Sequence, residues 1–117
     1  MVAEDLQERL FEFAVKVLRF LGNWRGTGRE TDVIKYQLSK SASSSGANYE
    51  EAQAAVSRKE FGVKVAISLK EMLESKYWLR IIERLYPEYN EISELVKESE
   101  ELTRILGSIN SKINKRD

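Results

Sequence analysis

Hydrophobic positions recur along this chain at intervals of three and four, almost from end to end. In the first stretch Leu6, Leu10, Phe13, Val17 and Leu21 form one stripe, and Phe11, Val15 and Leu18 widen it. That period is the one an α-helix uses to turn a face toward a core. The spacing predicts a helix over 4–21, stopped at Gly22-Asn23, with a loop from Trp24 to Arg29.

The second stretch reads as a helix over 30–56. Leu38, Ala42, Ser45, Tyr49, Ala52 and Val56 step by four and three, and Ile34, Ser41, Asn48 and Ala55 step by seven beside them. Its middle, Ser39 to Asn48, is rich in serine and holds Gly46, so composition alone would call it a linker. A linker has no reason to keep the helical register, and this segment keeps it. The poor helix propensity of serine and glycine must then be offset by packing, which small side chains allow by letting a neighbour come close.

Ser57 followed by Glu60 is a capping-box pattern, and Pro87 cannot continue a helix, which brackets a third helix at 58–86. A fourth is predicted over 89–113, where Ile92, Leu95, Leu102, Ile105, Leu106, Ile109 and Ile113 align. Short connections force sequential helices to run antiparallel. The expected architecture is therefore all-α: one domain over 1–117, an antiparallel up-down-up-down four-helix bundle.

The third helix is apolar on two sides. Phe61, Val65, Leu69, Met72, Leu79 and Ile82 make the core stripe at about 100° per residue. Val63, Ile67, Trp78, Ile81 and Leu85 gather nearly opposite, with Tyr77 at their edge. One bundle covers only one side of a member helix, so the second stripe predicts an oligomer interface formed by Val63, Ile67, Tyr77, Trp78, Ile81 and Leu85.

The 117 residues include no cysteine and no histidine, so disulfides, thiolate metal sites and the commonest general base are all excluded. The pairs Glu71/Glu74 and Glu98/Glu101 have the spacing of helical metal ligands, but the bundle metal motif also needs histidine. Ser39 to Ser45 has no activating base, and Gly26-Thr27-Gly28 is too short for a phosphate loop. No catalytic, metal or cofactor site is predicted, and the chain reads as a non-enzyme. No stretch resembles a signal peptide or a membrane span, which makes the cytoplasm the expected location.

Lys and Arg number 19, Asp and Glu also 19, so no strong unfocused pull on nucleic acid is expected. A local patch is compatible with that balance. Lys59, Lys70, Arg80 and Arg84 of the third helix are the candidate RNA contacts. Asn48 falls on the inward stripe of the second helix with Glu51 one turn on. A buried polar network is expected there, reaching Glu71, Ser68 or Ser75 of the third helix.

The block Ser43-Ser-Ser-Gly-Ala-Asn-Tyr-Glu-Glu-Ala52, with Ser57-Arg-Lys-Glu-Phe61, Leu69-Lys-Glu71 and Tyr77-Trp-Leu-Arg80, resembles the four helix bundle protein family. These proteins are also called the 23S rRNA intervening-sequence proteins. Phe11 to Val17 and Glu101 to Leu106 fit the same pattern. The resemblance implies a bacterial all-helical protein without assigned catalytic residues or cofactor. Some relatives resemble the accessory protein of diversity-generating retroelements, which is a pentameric barrel that binds reverse transcriptase and nucleic acid. A homo-oligomer, pentameric by this likeness, is thus expected. RNA or a nucleic-acid enzyme such as a reverse transcriptase is the expected partner. That accessory protein is strongly basic, whereas this chain is neutral.

Overall fold

A computed structural model describes residues 3–116. Four helices fill it: α1 (Ala3–Asn23), α2 (Arg29–Gln53), α3 (Arg58–Leu85) and α4 (Asn90–Arg116). Each helix packs on its neighbours in sequence, and α1 closes the ring against α4. α1 and α3 lie on one diagonal, α2 and α4 on the other. The body measures 45 × 21 × 21 Å.

The stripes read from the sequence form the core. Leu6, Leu10, Phe13 and Val17 of α1, Leu38, Ala42 and Tyr49 of α2, Val65, Met72, Leu79 and Ile82 of α3, and Ile92, Leu102 and Leu106 of α4 are all buried. The serine-rich middle of α2 is helical throughout. α2 and α3 make the most extensive seam, and α1 and α4 the slightest.

α2 ends at Gln53, three residues before its predicted limit, for a local reason. The Ser57 hydroxyl accepts the Glu60 backbone N–H at 3.0 Å, as the capping box requires. The Glu60 carboxylate, though, accepts from the backbone N–H of Val56 at 2.8 Å. That amide is therefore committed to the start of α3, and the Val56 side chain stands 92% exposed instead of ending the α2 stripe. α4 runs three residues past the predicted 113.

The first connection does more than join helices. Trp24 is only 4% exposed. It stacks on Phe20 at 5.8 Å and meets Tyr86 edge-on at 5.4 Å, while Tyr89 packs against Phe20. This aromatic plug seals one end of the bundle. The Lys35 ammonium donates to the carbonyls of Trp24 and Gly26, at 3.0 and 3.4 Å, and holds the loop down. The backbone crosses the indole so closely that a Cβ on Gly26 would sit 2.9 Å from its Nε1. Gly28 then opens α2 at φ +117°, a conformation that side-chain-bearing residues rarely adopt.

Candidate interaction surface

α3 places its side chains in three strips. The inward strip is core. The strip toward α2 carries Ser68 and Ser75, both fully buried. The Ser45 hydroxyl donates to the Ser68 carbonyl at 2.8 Å, and the Ser68 hydroxyl donates to the Ser45 carbonyl at 2.7 Å. The hydroxyls of Ser41 and Ser75 share a 2.8 Å hydrogen bond one step along. Paired small side chains satisfy one another and let the two backbones approach.

This serine seam corrects the expected polar network. Asn48 is half-buried and turns back on its own helix, where its amide donates to the Ser44 carbonyl at 2.9 Å and the Ser44 hydroxyl at 3.0 Å. Glu51 is exposed and accepts from Lys64 of α3 at 2.7 Å. Glu71 contributes its backbone carbonyl, which accepts from Ser75 at 3.0 Å. The physical reason is that the seam is already filled: the serines of α2 and α3 bond across it, and the Asn48 amide is satisfied on its own helix. The signal lies in the sequence, since Ser41 and Ser45 sit on the α2 stripes, where a serine offers both small size and a hydroxyl to bond.

The outward strip is the candidate site. Lys59, Val63, Ala66, Lys70, Leu73, Tyr77, Arg80 and Arg84 step by four and three along the whole helix, and all are exposed. No acidic residue lies on this ridge. The candidate RNA contacts Lys59, Lys70, Arg80 and Arg84 are thus brought onto one edge, interleaved with Tyr77, which is 58% exposed.

The predicted oligomer stripe is divided. Val63, Tyr77 and Leu85 are exposed, while Ile67, Trp78 and Ile81 are half-buried, with Trp78 and Ile81 resting on the core. The Trp78 indole N–H donates to the Glu74 carboxylate at 3.1 Å, and Tyr77 packs edge-on against the Trp78 ring. At about 100° per residue, Val63, Ile67, Ile81 and Leu85 centre on the shoulder toward α2, and the four cations centre roughly 75° further round, away from α2. The apolar strip and the cationic ridge run side by side.

A second exposed apolar surface lies where α1 meets α2. It was legible only in part, as the broad arc on α1. Phe11 is 56%, Leu18 42% and Tyr36 65% exposed. Leu18, Tyr36, Lys40, Ser43 and Ala47 are among the residues lining a shallow groove of about 480 Å³. Glu8 and Glu50 flank Phe11 at one end.

A concavity of about 810 Å³ lies between α1 and α4 and is lined mainly by charged side chains. Arg9 spans it, giving Glu98 two hydrogen bonds at 2.7 and 3.0 Å and Glu101 one at 3.2 Å. Hydrogen bonding to Glu98 raises the Arg9 pKa above its ordinary value, against the opposing effect of burial. Among the described residues no group of three or more His, Cys, Asp or Glu side chains could hold a metal ion. No described helix is long and apolar enough to cross a membrane.

The sequence signature of a family described as the 23S rRNA-intervening sequence protein matches residues 5–108. A crystal structure of a protein of unknown function from the S23 ribosomal protein family, from Bacteroides thetaiotaomicron, is similar. It is 33% identical, the match covers 90% of this chain and 97% of that one, and the TM-score is 0.77. No curated protein matches at a significant level.

Proposed function

Because the chain belongs to the 23S rRNA-intervening sequence protein family, we propose that it is a non-catalytic, self-assembling accessory protein of the cytoplasm that binds RNA through the outer ridge of α3. The observation that carries this reading is the ridge itself. Four cations and an exposed tyrosine share one edge with no acidic residue among them, in a chain whose total charge is zero. A phosphate backbone is the ligand such an edge suits, and an exposed aromatic ring offers a base a stacking face. The neighbouring apolar strip supplies the subunit contact. In a ring of five, the state the resemblance implies, five ridges would form a continuous basic rim around an apolar interface core.

Titration of labelled single-stranded RNA at several salt concentrations tests this. Four phosphate contacts on single-stranded RNA give a log–log salt slope of about −2.8 per engaged subunit, or roughly 50-fold weaker binding at 200 mM than at 50 mM salt. Replacing Lys59, Lys70, Arg80 and Arg84 together by Ala should flatten that slope. Wild-type protein that leaves RNA unbound at low salt would overturn the reading. It would leave the second one, a protein-binding scaffold, which the exposure of Val63, Tyr77 and Leu85 supports.

A further inference from the structure

The cations of the α3 ridge suit phosphate, but they do not account for a carboxylate that stands beside them. Glu74 lies about 60° round the helix from Tyr77, on the shoulder of the ridge and within the apolar strip. We propose that Glu74 and Tyr77 together form a base-reading site for guanine in single-stranded RNA. The base stacks on the Tyr77 ring, and the Glu74 carboxylate accepts from the guanine ring imino N–H and its exocyclic amine. This rests on the RNA reading above and adds a base preference to it.

The first argument is that Glu74 is oriented without being neutralised. Lys70 stands one turn before it, yet Glu74 makes no ion pair among the described residues. Its Oε2 accepts instead from the Trp78 indole N–H at 3.1 Å. Trp78 is half-buried and rests on the core, so the carboxylate is fixed from below. Oε1 has no hydrogen-bond partner among the described residues, and Oε2 keeps a lone pair to spare.

The stacking face gives the second argument. Tyr77 is 58% exposed, and its ring meets the Trp78 ring edge-on at 5.4 Å and 72°. One indole therefore braces both the aromatic platform and the carboxylate. Side chains three apart on a helix have Cβ atoms about 5–6 Å apart. A base lying on Tyr77 thus turns its edge toward Glu74.

Chemistry selects the base. An ionised carboxylate only accepts hydrogen bonds. Guanine alone among the RNA bases sets two donors side by side on its Watson–Crick edge, which matches the two oxygens of a carboxylate. Adenine and cytosine offer an amine beside an accepting ring nitrogen, and uracil an imino N–H between carbonyls, so each turns an acceptor toward the carboxylate. Lys70 and Arg84 lie seven residues either side of Tyr77, about 10.5 Å along the axis, and are placed for the flanking phosphates.

The test is binding of short labelled RNAs at low salt. The strands are all uridine, or uridine with a central guanine, inosine, adenine or cytosine. Wild-type protein should bind the guanine strand at least about 5-fold more tightly than the adenine, cytosine and all-uridine strands, the low end for a bidentate side chain–base pair. Inosine, which lacks the exocyclic amine, should fall between. Glu74→Gln can still accept from Trp78, so a purely structural role would survive it. It should lose the guanine preference while binding the all-uridine strand no less tightly, because a charge that repels phosphate is gone. Tyr77→Ala should lose the preference as well, and unchanged helical circular dichroism confirms that both variants fold. Equal binding of every strand by wild type, or a guanine preference that survives either substitution, would overturn the base-reading site and leave the RNA reading standing. Wild-type protein that binds none of the strands would instead overturn the RNA reading on which the site rests.

Discussion

Replacing Ser45 separates two reasons why a serine might sit between α2 and α3. If the residue matters for its smallness, Ser45→Ala should be mild. It removes one hydrogen bond, the donation to the Ser68 carbonyl, whose net worth is about 0.5–1.5 kcal/mol. No hydroxyl is orphaned, because Ser68 still donates to the carbonyl of residue 45. Alanine also returns a few tenths of a kcal/mol, up to about 0.5, in helix propensity. The expected net loss is therefore about 0.5 kcal/mol. Ser68→Ala should cost a similar amount, and the double variant should depart from the sum, since the two hydroxyls lie 3.2 Å apart and share one network. Ser45→Leu is another matter. The site is fully buried, and pushing the helices apart should cost about 3 kcal/mol, at the upper end for overpacking. Urea unfolding followed by circular dichroism at one fixed protein concentration measures all four. A loss above about 2 kcal/mol for alanine would show that the hydroxyl holds the seam. A leucine tolerated within about 0.5 kcal/mol would refute the close approach itself.

Other consequences are equally direct. Gly28→Ala should destabilise by about 1–3 kcal/mol, read as a drop in melting temperature, because φ +117° suits only glycine and a Cβ there meets Glu30. Gly107→Ala meets nothing within 4 Å and should stabilise α4 by up to about 1 kcal/mol in the same assay. Trp24→Phe removes a buried indole N–H that has no hydrogen-bond partner, so it should cost less than about 1 kcal/mol, far below the 3–5 expected for deleting the ring with alanine. Burial raises the pKa of Tyr49 above its usual 10.0, against a smaller lowering by Gln53. The unfolded chain then releases the tyrosine proton first, so stability is intact below pH 10 and falls above it; alkaline unfolding of Tyr49→Phe should show a shallower decline.

The fold was legible because each helix repeats its period several times. The register of Leu38, Ala42, Ser45, Tyr49 and Ala52 outvoted the composition of Ser39 to Asn48, and that stretch is helix. Ser57 and Glu60 announced the start of α3, but not that Glu60 would draw on Val56 and shorten α2. Period shows which side faces in, not who meets whom across a seam. Asn48 and Ser45 both face inward by period, and it is the serine that bonds across the seam while Asn48 bonds to Ser44 of its own helix. Trp24 lay in a segment with no period at all, so its burial had no pattern to betray it. The four cations of α3 fall on one acid-free ridge because they step by three and four, a spacing as visible in the sequence for charged residues as for apolar ones. The α1–α2 groove belongs to two helices at once, and no single stripe contains it.

The uneven closure of the bundle bears on the order in which the chain assembles. α2 and α3 share the tightest seam and are joined by four loop residues, so their contacts are cheap in chain entropy and form a natural nucleus. α1 leans mainly on α2, and its link to α4 is slight and joins the two ends of the chain. During synthesis α1 emerges first, yet it must wait for α2 before it has anything to lean on, and α4 arrives last to close a gap spanned by Arg9. The same hierarchy should persist in the finished molecule. Native-state hydrogen exchange is expected to show α1 amides opening at a lower free energy than those around Ser45 and Ser68. Equal protection of both would show instead that the bundle opens only as a whole. An α1 that detaches while α2–α3 stays intact would take apart the shallow groove it forms with α2, so that surface exists only as long as the least secured helix stays docked.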